Sequence, residues 1–237
     1  MNDLKGKLIV IEGTDCSGKE TQTTLLLNNL DNAYRFSFPN YDTPTGKIVG
    51  GPYLGKKEIS ESWFTEGATK VDPYVCSLYY AADRRYNIKH ILDLLDEGKN
   101  VILDRYIYSN MAHQGAKMET FEERKKFYHF EEELEFNLLG LPEPDIKIFL
   151  HMPTEYAKIL KQNRESIDEH EKDENHLKHA ELVYAEIAEL YGFKTVECVQ
   201  NNEIRSKESI KNEVVEYVFD RLEYLKNKRI KKIAKDN

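Results

Sequence analysis

The sequence is poor in cysteine and has no long apolar run. Its three cysteines, Cys16, Cys76 and Cys198, are scattered, which excludes a disulfide framework and suggests a reducing compartment. No apolar run reaches the about 20 residues that a membrane-spanning helix needs, and the N-terminus carries no signal-peptide pattern. The net charge of −8 disfavours a general nucleic-acid binder. We therefore expect a cytoplasmic protein with neither a membrane nor a nucleic-acid partner.

Runs of apolar, mostly β-branched residues alternate with helical patterns along the chain. This alternation predicts a parallel sheet that is covered by helices on both faces. We therefore predict an α/β fold of three layers (α/β/α) with a five-stranded parallel sheet, built as one domain over residues 1–237. The five predicted strands are Leu8–Ile11, Tyr34–Phe38, Asn100–Asp104, Asp145–Leu150 and Lys194–Cys198.

A G-x-x-x-x-G-K spacing directly follows the first strand and precedes a helical pattern. Gly13 and Gly18 allow the backbone to turn so that successive N–H groups point at an anion. The helix N-terminus adds partial positive charge, and Lys19 adds a full charge. This context favours a phosphate-binding P-loop and disfavours the alternative, a Gly-rich turn with a structural role only. Its residues are Gly13, Thr14, Asp15, Cys16, Ser17, Gly18, Lys19, Glu20 and Thr21.

One position departs from the usual P-loop pattern. The residue after the lysine is usually Ser or Thr, whose hydroxyl contacts Mg²⁺, and here it is Glu20. Thr21 follows, but one residue along a helix turns a side chain by about 100°. The loop itself therefore supplies no clear metal ligand, whereas the phosphate cradle does not depend on this position.

Two further strand ends carry residues that suit a ligand, at the edge where α/β proteins bind one. For Phe38-Pro39-Asn40-Tyr41, after the second strand, the residue types alone favour a simple turn. The third strand ends in Asp104-Arg105. A carboxylate near a P-loop can hold Mg²⁺ or its water, and an arginine can bind phosphate through two nitrogens. We predict these roles for Asp104 and Arg105.

A long helix is predicted from Asp72-Pro73 to about Glu97. Tyr80 and Arg84 lie four residues apart on it, and a ring beside a guanidinium suits a flat heterocycle. The residues alone favour the alternative, an ordinary contact on a solvated face. The predicted buried stripe consists of Val75, Leu78, Tyr79, Ala82, Tyr86, Ile91, Leu92 and Leu95.

The helical segment after Arg105 has a polar face. It is formed by Asn110, His113, Gln114 and Lys117, which recur with helical spacing. A solvated face and a ligand-binding face explain this pattern about equally well, because Arg105 lies directly before it.

Two stretches have less regular patterns. Gly50-Gly51-Pro52 should break the helix that begins at Pro44, and a short helix is predicted near Ile59–Phe64. The acidic stretch from Arg164 to Glu174 has no apolar period, which is typical of a solvated segment between two helices. We therefore expect a lid over about residues 161–176.

Together these motifs resemble the thymidylate kinase family of P-loop nucleoside monophosphate kinases. The resemblance spans nearly the whole chain, and its most specific part runs from Asp104-Arg105-Tyr106 through Ser109-Asn110 to Lys117. It implies a P-loop NTPase-type fold, ATP as co-substrate with Mg²⁺, and phosphorylation of dTMP to dTDP for dTTP synthesis. A homodimer is also implied.

The resemblance assigns a role to each matching position. Asp15 would hold the sugar 3′-hydroxyl, Tyr80 would stack on thymine, and Arg84 would contact a base carbonyl. The acceptor phosphate would bind Arg105 and Tyr41. ATP would bind residues 13–21. The implied dTMP-binding residues are Asp15, Phe38, Pro39, Tyr41, Tyr80, Arg84, Arg105, Ser109, Asn110, His113 and Gln114.

The resemblance also raises the question of a catalytic cation. Such kinases carry an arginine either in the P-loop, at the position of Cys16, or in the lid. Cys16 rules out the first, and Arg164 is the only arginine between Arg124 and Arg205. We therefore predict Arg164 as the lid arginine, with Lys161 as a weaker candidate. The expected catalytic residues are Asp15, Lys19, Arg105 and Arg164.

Two alternatives stay open at this point. A kinase for another nucleotide or for a deoxynucleoside would share the P-loop and Asp104-Arg105. A nucleotide-binding P-loop protein with little turnover is suggested by Cys16 and Glu20.

Overall fold

A computed structural model describes residues 5–161 and 174–236 of the chain. Most of the predicted lid, about residues 161–176, lies outside the described residues, and Arg164 lies there too. None of the described helices is both long and apolar enough to cross a membrane.

The centre of the molecule is a parallel sheet in the order β2-β3-β1-β4-β5, which confirms the predicted five-stranded fold. The first strand lies in the middle and pairs with β3 on one side and β4 on the other. A short antiparallel pair, β6 and β7, was not predicted. The strands are β1 Leu8–Gly13, β2 Ala33–Ser37, β3 Asn100–Asp104, β4 Ile146–His151, β5 Lys194–Glu197, β6 Val199–Gln200 and β7 Glu203–Ile204.

The helices follow the strands in the predicted alternation. Two of them, α2 and α5, continue as single π-helical turns over Val49–Tyr53 and Glu133–Leu138. The helices are α1 Lys19–Asn29, α2 Pro44–Ile48, α3 Pro73–Asp96, α4 Ile107–Gly115, α5 Phe121–Glu132, α6 Thr154–Lys161, α7 Glu174–Leu190 and α8 Lys207–Asp236.

The core lies in two layers, one on each face of the sheet. Alternate residues of β1 serve different layers, because successive strand side chains point to opposite faces. Leu8 and Val10 belong to the layer formed with α3, α4, α5 and α7. Ile9 and Ile11 belong to the layer formed with α1, α6 and α8. Every residue of β1 is buried, as expected for a central strand covered on both sides.

Two predictions for the segment after α2 are wrong. The helix does not break at Gly50-Gly51-Pro52 but continues through the π-helical turn. The glycines are needed there for close packing: a Cβ at Gly50 would lie 2.4 Å from the Ile59 side chain and 2.8 Å from the Tyr41 ring. Residues 59–64 form turns and irregular structure, since this segment packs onto the glycines.

The first half of the predicted stripe on α3 is also wrong. Val75, Leu78 and Tyr86 are exposed, by 39%, 54% and 60%. The buried face instead includes polar residues, which sequence periodicity counts against burial. These residues have hydrogen-bond partners: the Ser77 hydroxyl donates to the Pro73 carbonyl, and Asp83 accepts from the Asn40 backbone N–H. The buried residues are Cys76, Ser77, Ala81, Asp83, Arg84, Ile88, Ile91, Leu94 and Leu95.

Candidate active site

The carboxyl ends of β1, β3 and β4 bring the predicted site residues to one edge of the sheet. The loop after β1 lies there, with Asp104 at the end of β3. Beside it is an open cleft between this loop, α4, α6 and α7. Its lining includes Thr14, Asp15, His113 and Tyr184. This edge is where parallel α/β sheets bind ligands.

Lys19 is the cation at the centre of the loop. Gly18, with φ of +80°, precedes it in the left-handed conformation that glycine adopts without strain. The Lys19 ammonium donates to the carbonyls of Gly13, at 3.0 Å, and Thr14, at 2.8 Å. Burial, with the positive charge of Arg105, lowers the pKa of Lys19 to about 8. A polyanion near this buried ammonium would favour its charged form and raise its pKa again.

Arg105 is fixed in place by both its backbone and its side chain. Its φ of +69° lies in the left-handed region, where a non-glycine residue is strained, as is common at functional sites. Nη1 donates to the Ser109 hydroxyl at 3.2 Å and to the Tyr184 hydroxyl at 3.3 Å. Nη2 lies 3.7 Å from the Asp15 carboxylate. Asp15 lies 2 residues beyond Gly13 in the sequence, and Arg105 lies 92 residues beyond it. The two side chains are nevertheless adjacent in the structure.

Glu12 is a site residue that the sequence analysis missed. Its buried carboxylate accepts from the backbone N–H groups of Tyr106, at 2.7 Å, and Ser109, at 3.1 Å, and from the Ser109 hydroxyl. Burial raises its pKa despite the Ser109 hydrogen bond. The carboxylate therefore ties the end of β1 to the start of α4. The only signal was an acid at the end of an otherwise apolar strand.

Asp104 is held by Arg35, another residue that was missed. Nη2 of Arg35 lies 2.8 Å from Oδ2 of Asp104, and Arg35 Nε donates to the Thr23 hydroxyl at 2.6 Å. Asp104 raises the pKa of Lys19 electrostatically, so it acts on the phosphate cradle. Carboxylate oxygen is a preferred ligand of Mg²⁺, which usually takes one or two carboxylates together with substrate phosphates. The position and chemistry of Asp104 therefore fit such an ion.

Arg84 is buried, so the solvated-face alternative is wrong for this residue. Only 2% of it is exposed, and its Nε and Nη2 bind the fully buried Glu135. Its guanidinium carbon lies 6.0 Å from the centre of the Tyr80 ring. Tyr53 packs edge-on against that ring, with centroids 5.9 Å apart. Of the three guanidinium nitrogens, Nη1 is the one that Glu135 does not occupy.

The polar face of α4 is buried at Asn110 and Gln114, which are 3% and 0% exposed. The solvated-face alternative is therefore wrong here as well. Asn110 Oδ1 and Gln114 Oε1 have no hydrogen-bond partner within the described part of the chain. Buried polar atoms are normally paired, so two such acceptors on one helix face indicate a ligand-binding surface.

The remaining residues of this face bind neighbouring segments. His113 stacks on His176, with centroids 5.8 Å apart, and meets Tyr184 edge-on. The Lys117 ammonium donates to the carbonyls of Ala68, at 2.9 Å, and Val71, at 2.8 Å. Lys117 therefore anchors the segment before α3 to α4 at Ala68 and Val71.

The loop after β2 lies beside α3. The Phe38–Pro39 peptide bond is cis, and Phe38 packs near Tyr106 in the core. Asp83 of α3 accepts from the Asn40 N–H at 2.8 Å and from the Thr45 hydroxyl at 2.9 Å. The Tyr41 ring lies 5.0 Å below the Lys56 ammonium.

Comparisons with known proteins agree with this geometry. The family model "Thymidylate kinase" matches residues 11–211. The chain is 29% identical to the thymidylate kinase of Schizosaccharomyces pombe, across 90% of this chain and 92% of that protein. It is 31% identical to the thymidylate kinase of Plasmodium falciparum, across 91% and 96%. The solved structure of Candida albicans thymidylate kinase matches with a TM-score of 0.68 at 26% identity, covering 92% and 93%.

The chain belongs to the thymidylate kinase family. The match to the family model contains the P-loop, Arg84, Asp104-Arg105 and the α4 face. In this chain, the two acceptor atoms without a partner, Asn110 Oδ1 and Gln114 Oε1, lie on α4. The two cations, Lys19 and Arg105, lie just after the ends of β1 and β3. Glu12 fixes the start of α4, Arg35 fixes Asp104 and Glu135 fixes Arg84, each from another element.

Proposed function

We propose that this chain transfers the γ-phosphoryl group of ATP to dTMP and releases dTDP and ADP. The observation that carries the proposal is the arrangement at the strand ends. Lys19 in the P-loop and Arg105 after β3 influence each other electrostatically, with Asp15 3.7 Å from Arg105. Two cations around one carboxylate suit two phosphorylated substrates that meet at the loop, and family membership names those substrates.

ATP would bind through the loop of residues 13–21. Its phosphates would take the place of the loop carbonyls that the Lys19 ammonium now contacts, while backbone N–H groups and the start of α1 face the same charge. Catalysis in such a site comes mostly from alignment and from cations near the transferred group. Lys19 supplies one of those cations.

The acceptor would bind with its phosphate on Arg105, with Tyr41 beside it, and with its sugar 3′-hydroxyl on Asp15. Arg105 suits this role because Ser109 and Tyr184 already hold one of its nitrogens. A guanidinium with a fixed orientation can then meet the phosphate through its remaining edge. A cation at this position suits the phosphate of a monophosphate acceptor.

The base would stack on Tyr80 and present its edge to α3 and α4. Arg84 would reach a base carbonyl through Nη1, because Glu135 occupies Nε and Nη2. Asn110 and Gln114 carry acceptor atoms that lack a partner in the described residues. Phe38, Pro39, Ser109 and His113 would complete the walls of the dTMP site.

Mg²⁺ would be held by Asp104 together with the phosphates. Arg35 fixes the orientation of Asp104 through Oδ2, so this carboxylate is held in place for the ion or one of its waters. The ion would neutralise phosphate charge during the transfer. Glu20, exposed in the first turn of α1, provides no hydroxyl for this purpose.

We retain Arg164 as the proposed catalytic arginine of a lid within the single domain. It lies outside the described residues, so the proposal rests on the family resemblance and on Cys16 in the loop. The Arg164→Ala variant should lose most of its kcat while binding dTMP normally. A near-normal kcat would overturn the assignment.

The homodimer and the cytoplasmic location are also proposals. The exposed apolar residues Val75, Leu78 and Tyr86 on α3 support a second copy as the partner. All three cysteines are free, which fits a reducing compartment. Light scattering during size-exclusion chromatography should give twice the mass of one chain.

Release of ADP from ATP tests the function directly. dTMP, dUMP, dCMP and thymidine would be compared as acceptors, with ATP alone as the control. We expect dTMP to give the highest kcat/KM. Faster turnover of thymidine than of dTMP would identify a nucleoside kinase, and binding of both substrates without ADP release would identify a binding protein with little turnover.

A further inference from the structure

His151, at the end of β4, has a carboxylate at each of its two ring nitrogens. Nε2 lies 3.1 Å from Glu181 on α7, and Nδ1 lies 2.8 Å from Glu197 on β5. An ionised carboxylate only accepts hydrogen bonds, so both contacts form together only when both ring nitrogens carry a proton. The geometry is therefore that of an imidazolium, which places one positive charge between two acids.

The surroundings of the ring favour this charged form. The hydrogen bond with Glu181 raises the pKa of His151 above its usual 6.5, against partial burial, and Glu197 acts in the same direction. Burial would raise the pKa of Glu181, but hydrogen bonds from His151 and Thr154 lower it. On β4 itself, the Phe149 ring stacks on His151 with centroids 5.7 Å apart. The charged groups that contact the ring are thus Glu181 from α7 and Glu197 from β5.

Glu181 connects His151 to the walls of the cleft beside the P-loop. Its Oε2 accepts from the backbone N–H of Thr154, at 2.8 Å, and from the Thr154 hydroxyl. Thr154 is the first residue of α6, so one carboxylate joins β4, α6 and α7. Glu181, Thr154 and Tyr184 all line the cleft.

Tyr184 connects α7 to Arg105. It follows Glu181 by three residues, so the two side chains lie on one face of the helix. The Tyr184 hydroxyl is 3.3 Å from Nη1 of Arg105 and 2.9 Å from the Ser109 hydroxyl. A shift of α7 relative to β4 would therefore displace a hydrogen-bond partner of Arg105.

We propose that His151 is a positioning residue for the acceptor phosphate: as an imidazolium between Glu181 and Glu197 it holds α7 in place, and α7 in turn orients Arg105 through Tyr184. The inference rests on the proposed function, in which Arg105 binds the phosphate of dTMP. His151 itself does not touch the substrate.

This role makes dTMP binding depend on pH. A neutral imidazole has one N–H, so one of the two carboxylates loses its donor when the ring loses a proton. The remaining hydrogen bond also loses its charge assistance, so the hold on α7 weakens in either tautomer. The effect is absent while the ring is protonated and appears as the pH rises through the raised pKa of His151. Affinity for dTMP should therefore fall above neutral pH.

The test is the dissociation constant of dTMP between about pH 6 and about pH 9, in the full chain. His151→Lys keeps a positive charge over this range, whereas His151→Gln has none. The ratio of the wild-type constant to that of a variant cancels the titration of the nucleotide phosphate. We expect the wild type to match His151→Lys near pH 6 and to bind about fivefold more weakly than it near pH 9. His151→Gln should bind weakly throughout.

His179→Gln is the matched control. It makes the same change at an exposed histidine on α7, so its dissociation constant should equal that of the wild type at every pH. If the His151 variants fail to fold, Glu197→Gln removes one of the two acids. It should lower the pKa of His151, measured by NMR of the ring, and move the loss of dTMP affinity to lower pH.

The outcomes separate this inference from the proposed function. A wild type that does not phosphorylate dTMP overturns the proposed function and this inference with it. A wild type that does so overturns only the role of His151 in two cases. In the first, the ratio to His151→Lys stays constant over the whole pH range. In the second, the ring titrates at or below the usual 6.5.

Discussion

The two ends of the proposed dTMP site are built from different materials. At the phosphate end, Lys19 and Arg105 provide positive charge beside the partly exposed Asp15 and an open cleft. At the base end, Arg84 is neutralised by the buried Glu135, and the remaining contacts are amides and rings. The phosphate end therefore recognises the charge of the substrate. The base end, whose charges are already paired within the protein, recognises the shape and the hydrogen-bonding groups of the substrate.

Removal of Lys19 should have the largest effect. Lys19→Ala deletes a buried cation beside the transferred group, so we expect kcat to fall on the order of 10³-fold. dTMP binding should persist, because its contacts lie on other elements. Steady-state ADP release and dTMP titration would measure the two. Lys99→Ala, at a surface lysine paired with Glu97, is the control. Loss of dTMP binding in Lys19→Ala would show that the ends are not separate.

Breaking the ion pair at the base end should chiefly reduce stability. Glu135→Gln leaves the Arg84 charge buried without its partner, which costs about 3 kcal/mol in the free energy of unfolding. The double variant Arg84→Met, Glu135→Met should recover much of that stability and yet bind dTMP weakly. Urea unfolding measures the first effect. Asp93→Asn breaks an exposed pair with Lys89 on α3, the helix that carries Arg84, and should change the free energy of unfolding little. A fully stable Glu135→Gln would contradict the account.

A smaller effect should come from pH. In the free protein the pKa of Lys19 is lowered to about 8, and bound phosphates should raise it, so binding takes up a proton near and above pH 8. Affinity for a non-hydrolysable ATP analogue should therefore fall as pH rises above 8, approaching tenfold per pH unit, and stay flat below about pH 7. Calorimetry in two buffers of different ionisation enthalpy would detect the proton. Binding without uptake at pH 8.5 would be inconsistent with the lowered pKa.

The same contrast explains what the sequence could predict. The P-loop is a local motif, so its strand, glycines and Lys19 follow from adjacent residues. Arg84 and Asn110 are recognisable as candidates, but their burial is not, because it depends on Glu131 of α5 and on Glu135 of the π-helical turn that follows. Those acids are 51 and 21 residues away in the chain.

The errors on α3 and after α2 have a related cause. Val75 and Leu78 are apolar and exposed, whereas Ser77 and Asp83 are polar and buried with partners. Hydrophobic periodicity predicts burial for the first pair and exposure for the second. Both predictions are wrong, because periodicity does not include tertiary hydrogen bonds. The sequence pattern predicts a helix break at Gly50, but the close approach of the Ile59 side chain requires a glycine there.

The independence of the two ends is the central claim, and one measurement tests it directly. In the Lys19→Arg variant, kcat/KM would be measured for dTMP and dCMP with the same ADP-release assay. The account predicts that both values fall by the same factor, so that the selectivity of the wild type is retained, because Lys19 lies at the phosphate end only. A change in the dTMP to dCMP ratio beyond about threefold would contradict it.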